Sequence, residues 1–123
     1  MSDMRILVVE DEPDGQEVFA EVLTNSNMTA DLALTAEEAL TYLAQNDYSG
    51  VVIDLALPGM DGWGLLKVIR NNPVTAQLPC IAVTAYHTSK VKQQAIQSGF
   101  DGYFAKPFNP VDFIQILTTA ISR

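Results

Sequence analysis

Short apolar runs alternate along the chain with longer stretches in which apolar positions recur every three or four residues. The runs Arg5 to Val9, Thr29 to Leu34, Gly50 to Ile53, Cys80 to Thr84 and Gly102 to Ala105 are too short for buried helices and read as strands. Several are continuously apolar rather than alternating, which suits a parallel sheet covered on both faces. Pro13 to Thr24 carries Val18, Phe19, Val22 and Leu23 on one helical face, and Thr35-Ala36-Glu37-Glu38 reads as a capping box opening a helix through Leu43. A third helix is expected from Gly62 to Asn71, ended by Pro73, and a fourth from Ser89 to Ser98, stopped by Gly99. Asn109-Pro110, a cap residue followed by proline, opens the last helix. The order is five strand-helix units in one domain spanning residues 1–123, an α/β fold of the (βα)5 type. Right-handed crossovers place every strand's carboxyl end on one edge, and ligands of such sheets bind in the crevice outside it.

Composition narrows the function classes. With 48% hydrophobic residues the chain can bury a core without disulfides, and one cysteine, Cys80, gives neither a disulfide framework nor a cysteine metal site. A cytoplasmic, reducing setting is expected, with no membrane segment. Fifteen acidic against seven basic residues, a net charge of −8, argue against direct nucleic-acid or membrane binding.

The carboxyl ends of the strands carry the chemistry. Glu10 and Asp11 follow strand one, Asp54 follows strand three, Thr84 closes strand four and Lys106 follows strand five. Three carboxylates converging on one crevice repel unless a hard cation neutralises them, and Mg2+ held by carboxylates, waters and phosphate oxygens is the usual solution.

In four stretches the chain resembles the receiver domains of two-component response regulators: Val8-Val9-Glu10-Asp11-Glu12-Pro13, Ile53-Asp54-Leu55-Ala56-Leu57-Pro58-Gly59-Met60-Asp61-Gly62, Val83-Thr84-Ala85 and Lys106-Pro107-Phe108. The resemblance spans essentially the whole chain. It implies a flavodoxin-like, doubly wound parallel sheet in strand order 2-1-3-4-5. It further implies that Asp54 accepts a phosphoryl group from a phosphohistidine of a sensor histidine kinase or a histidine phosphotransfer protein. Glu10, Asp11, Asp54 and the backbone carbonyl of Ala56 would bind Mg2+, while Thr84 and Lys106 would contact the phosphoryl oxygens. Asp54 would then be a carboxylate nucleophile, with Mg2+ and Lys106 neutralising charge in an in-line transfer. The resemblance also implies a cis bond between Lys106 and Pro107, and a switch in which Thr84 is drawn inward and Tyr103 moves after it. That switch would alter the face of helix four, strand five and helix five, where an unidentified downstream protein or a second copy of the chain would bind. The domain is then a regulatory phosphoacceptor that promotes only its own phosphorylation and dephosphorylation, not a turnover enzyme.

Other positions read more plainly. Asp61 and Gly62 are expected as a turn and cap opening helix three, and Cys80, His87 and Trp63 as packing or surface residues. Helix five has more apolar residues than one buried stripe needs, so either Ile114 and its neighbours form part of a partner or dimer surface or the helix is a generously hydrophobic packing element. Among similar receivers the positions of Ala56 and Tyr86 set how long the acyl phosphate lasts, and a bulky Tyr86 would hinder the attacking water. An aspartate-nucleophile phosphatase would need a second aspartate where Ala56 stands. A flavin carrier would need a hydroxyl- and glycine-rich loop where Glu10-Asp11-Glu12-Pro13-Asp14 stands. A phosphorylation-independent interaction scaffold is the alternative within the same fold; loss of one of the five key residues would favour it, and all five are present. With the chain ending just after helix five, either a stand-alone receiver or a domain of a larger regulator or hybrid kinase is expected, the start at Met1 and the lack of a linker remnant leaning toward the former.

Overall fold

The computed structural model describes residues 4–122. Met1 to Asp3 and Arg123, which the expected domain includes, lie outside the described residues. The elements come in strict alternation: β1 (Arg5–Val9), α1 (Pro13–Asn25), β2 (Thr29–Ala33), α2 (Ala36–Gln45), β3 (Gly50–Asp54), α3 (Gly62–Asn71), β4 (Cys80–Thr84), α4 (Ser89–Ser98), β5 (Gly102–Ala105) and α5 (Pro110–Ile121). All strand pairs are parallel and the order is β2-β1-β3-β4-β5, as expected for a doubly wound sheet.

The boundaries depart from the expected ones where side chains intervene. β2 ends at Ala33, not Leu34, because the Leu34 N–H is taken by Glu38 Oε1 at 3.0 Å while the Glu38 N–H goes to Thr35 Oγ1 at 3.0 Å. This is a capping box reaching one residue further back than usual. α1 runs to Asn25 and α2 to Gln45, past Thr24 and Leu43, and β3 runs one residue further, so Asp54 belongs to the ladder and pairs with Val83. Asp61 caps α3 through Gly64 N–H at 2.9 Å, and Gly99 ends α4 with φ of 111°, a left-handed conformation that glycine adopts without steric cost.

Alternation along each strand sorts the core into two layers. Leu7, Val9, Val51, Ile53, Cys80, Ala82 and Tyr103 face α2, α3 and α4, with Leu65, Leu66 and Ile69 packed over them. Ile6, Val8, Val52, Ile81, Val83 and Phe104 face α1 and α5. There Phe19, Phe104, Phe108 and Phe113 form one aromatic cluster, with Phe19 stacked on Phe108 at 5.0 Å and Phe104 tilted on Phe113 at 4.7 Å. Each aromatic pair adds about 0.5–1.5 kcal/mol beyond the area it buries.

At the opposite edge from the strand carboxyl ends, Arg70 near the end of α3 ties several segments together. Its guanidinium donates to the carbonyls of Ala76, Leu78 and Gly99 and to Asp101 Oδ2, at 3.1, 2.7, 2.8 and 3.0 Å. Asp101 Oδ2 also accepts from Cys80 N–H at 2.9 Å, which seats the start of β4.

On α5 the outward apolar residue is Val111, 74% exposed, whereas Ile114 is half-buried and packs on the α1/α5 layer. Ile114, expected in a partner or dimer surface, thus turns only part of its side chain outward.

Burial pushes the Cys80 thiol up to about 12, with nearby Arg70 only partly offsetting it. Thiolate-selective labelling at pH 8 should therefore be negligible in the native protein and rapid in denaturant; fast native labelling would contradict the placement. Because the unfolded thiol loses its proton first, stability should also fall as pH rises from the ordinary 9.0 toward that value.

Candidate functional site

The register of the sheet brings the chemistry together. Val9 is level with Ala33 on one side and Ile53 on the other, Asp54 is level with Val83, and Thr84 with Ala105. The ladder holds one residue beyond three of the strands: Glu10 N–H donates to Ala33 O, Leu55 N–H to Val83 O and Lys106 N–H to Thr84 O, at 3.0, 2.9 and 2.9 Å. Glu10, Asp54 and Lys106 thus leave the sheet edge on fixed backbone.

Ligating oxygens of Glu10, Asp11 and Asp54 lie within 4.8 Å of one another. Glu10 is fully buried, Asp54 nearly so, and Asp11 half-buried. Lys106 Nζ lies between two of them, 2.6 Å from Glu10 Oε1 and 2.8 Å from Asp54 Oδ2. Asp54 Oδ1 accepts from the Ala56 N–H at 2.9 Å, and Glu10 Oε2 from the Glu12 N–H at 3.2 Å. One ammonium thus stands against three carboxylates, and the set of oxygens is the hard-donor kind that suits Mg2+. Burial raises the Glu10 carboxyl above its ordinary value, the Lys106 hydrogen bond opposes this, and the Asp54 charge adds to it. Burial alone would lower the Lys106 ammonium, but its hydrogen bonds to Asp54 and Glu10 outweigh it and the net shift is upward.

α3 approaches this cluster so closely that Gly62 has no room for a side chain. A Cβ there would lie 2.5 Å from the Asp54 carbonyl oxygen and 2.8 Å from Leu55 Cα. Gly62, expected with Asp61 as the turn and cap opening α3, also packs closely beneath the Asp54 backbone. The Lys106–Pro107 bond is cis, as the resemblance implies.

Thr84 is buried at the end of β4, and its Oγ1 accepts from the Tyr86 N–H at 3.0 Å. Tyr103 lies apart from the carboxylates. Its ring is buried in the α2/α3/α4 layer and its hydroxyl meets His87 Nδ1 at 2.8 Å. The sequence marks His87 only as a packing or surface residue; no spacing signal links it to Tyr103, because the contact depends on how the β4–α4 loop folds over β5. Gln16, whose side-chain amide donates to Glu10 O at 2.9 Å, likewise carries no signal in the sequence. A cleft of about 620 Å³ opens beside Ala56 and Thr84, lined by Trp63, Tyr86, Val91 and Gln94.

Comparison with known proteins agrees with this geometry. Residues 6–118 match the family model described as the response regulator receiver domain. An uncharacterized 14.6 kDa protein of Leptolyngbya boryana is 36% identical over 117 residues, covering 95% of this chain and 89% of that protein. The transcriptional regulatory protein TcrA of Mycobacterium tuberculosis is 34% identical over 123 residues; this chain spans only 47% of its length. Among solved structures, the receiver domain of the sensor histidine kinase PA1611 from Pseudomonas aeruginosa superposes with a TM-score of 0.90 at 28% identity, covering 99% of this chain and 100% of that one. That structure has a magnesium ion coordinated in its active-site cleft.

Replacing Lys106 by Met leaves two buried carboxylates without their cation. We expect a loss of about 3 kcal/mol at neutral pH, the low end for a broken buried pair, since 21% of the lysine side chain stays exposed. With its lowering partner gone, Glu10 rises further above its ordinary 4.5, so the deficit should shrink as pH falls toward that value; urea unfolding at several pH values measures it.

Proposed function

This chain belongs to the response regulator receiver family, regulatory phosphoacceptor domains of two-component systems, and we propose that it is a Mg2+-dependent switch phosphorylated on Asp54. The observation that carries the reading is Lys106 Nζ bridging Glu10 and Asp54 inside a cluster of three carboxylates. Receiver domains are phosphorylated by histidine kinases, and the donor here is a phosphohistidine of a sensor kinase or a histidine phosphotransfer protein.

Asp54 is held as a nucleophile by the Ala56 N–H on Oδ1 and Lys106 on Oδ2. A carboxylate oxygen attacks phosphorus, the phosphorus–nitrogen bond of the donor breaks, and the leaving imidazole takes up a proton from solvent. Lys106 shifts its contact from the carboxylate to the phosphoryl oxygens, and the Thr84 hydroxyl donates to another. Glu10, Asp11 and Asp54, with the Ala56 carbonyl, would hold Mg2+, which would supply neutralisation of the charge gathered on the transferring group.

Phosphorylation works as a switch through the β4–α4 loop. Thr84 Oγ1 is bonded to the loop at Tyr86 N–H, and the loop's His87 is bonded to Tyr103, so a hydroxyl drawn toward the phosphoryl group disturbs both contacts. The altered α4–β5–α5 face controls a downstream protein or a second copy of the chain. No helix among the described residues is long and apolar enough to cross a membrane, and a cytoplasmic setting without nucleic-acid contact fits the acidic composition.

Incubation with acetyl phosphate should add one phosphoryl group by intact mass, requiring Mg2+ and absent in Asp54→Ala; no adduct on folded protein would favour the interaction scaffold instead. Tyr86 is 75% exposed beside the site, so Tyr86→Ala should hydrolyse its acyl phosphate several-fold faster, and equal lifetimes would remove Tyr86 from the water path.

A further inference from the structure

Gly15, the third residue of α1, has a substitution cost that its own backbone does not explain. Glycine is among the weakest helix formers, and the backbone of Gly15 lies outside the left-handed region, unlike Gly59 and Gly99. Nothing in its conformation calls for glycine, and by propensity alone alanine would be better there. The space beside it, however, is occupied. A Cβ on Gly15 would stand 2.9 Å from Glu10 Cδ and 3.1 Å from both Cγ and Oε1.

Glu10 has little freedom to move aside. Its side chain is fully buried, Oε1 accepts from Lys106 at 2.6 Å, Oε2 accepts from the Glu12 N–H at 3.2 Å, and its carbonyl is held by Gln16. The contacts run along the outer side chain from Cγ to Oε1, atoms that an alanine at position 10 would lack. We propose that Gly15 is a positioning residue: its missing side chain is the space in which the Glu10 carboxylate sits against Lys106 and beside Asp54. Glu10 and Gly15 therefore act as a matched pair. A side chain at position 15 drives the carboxylate off Lys106, leaves the ammonium to Asp54 alone and spoils the three-carboxylate cluster. The consequence for Mg2+ and phosphorylation rests on the function proposed above, whereas the placement of Glu10 does not.

The test is a cycle of Gly15→Ala in two backgrounds, the natural chain and Glu10→Ala, which removes all three contacted atoms. It is read by thermal midpoint, by the amide resonance of Glu12 in metal-free protein, and by Mg2+ titration monitored through Trp63 fluorescence. In the natural background, Gly15→Ala should lower the midpoint, shift the Glu12 amide, and weaken Mg2+ binding about tenfold, as loss of a supporting contact does at metal sites. In the Glu10→Ala background the same substitution should raise the midpoint and leave both the Glu12 amide and Mg2+ affinity unchanged. If Gly15→Ala alone fails to fold while the double variant folds, the pairing holds. A higher midpoint with an unmoved Glu12 amide in the natural chain, or equal damage in both backgrounds, overturns the proposal. Were the Mg2+ reading itself at fault, the titration would be flat in every variant while the midpoint and the amide still decided the placement.

Discussion

Electrostatic repulsion at one edge of the sheet is the constraint around which the rest is arranged. Three carboxylates share a space under 5 Å across, two of them buried, and a single ammonium stands among them. Desolvation makes that arrangement costly, and the raised Glu10 carboxyl is its direct sign. A fold seeking stability alone would not collect these groups. They are tolerable because Lys106 is shared and backbone N–H groups satisfy the other oxygens of Glu10 and Asp54, and they remain short of positive charge, which is the condition under which a hard cation is drawn in.

The sheet and its layers serve to make that edge stiff. Parallel register brings the five site positions to one edge of the sheet, and the ladder extends one residue past β1, β3 and β5. Lys106 is further secured from behind, since Phe108, two residues on, is stacked into the cluster of Phe19, Phe104 and Phe113. Packing in the α1/α5 layer is in this way connected to the placement of a charge at the site. Gly62 does the same for Asp54 on the other side, by letting α3 press against its carbonyl.

Much of this is legible from residue order because it depends on periodicity and on the residue types at each strand's carboxyl end. The five strands, their sequence of helices, the Asp61 cap and the Gly99 stop all rest on local chemistry. The misplaced boundaries have local causes as well, but ones requiring rotamers: whether Glu38 reaches Leu34 or Thr35 decides where β2 ends, and no spacing rule carries that information. Tertiary pairs are beyond reach for a different reason. His87 meets Tyr103 sixteen residues away, and Gly15 meets Glu10 across a turn, through distances that only the assembled loops define. The half-buried state of Ile114 is invisible for the same cause, since an apolar helix does not announce which of its residues the neighbouring sheet will cover.

The Arg70 knot has a mechanical meaning. It clasps the carbonyl of Gly99, where α4 ends, to the end of α3 and, through Asp101, to the root of β4. The amino end of α4 comes after an exposed loop, residues 85–88, and is capped by its own Thr88. The two ends of α4 are therefore held unequally, the carboxyl end by hydrogen bonds to two other elements and the amino end by Thr88 within its own turn.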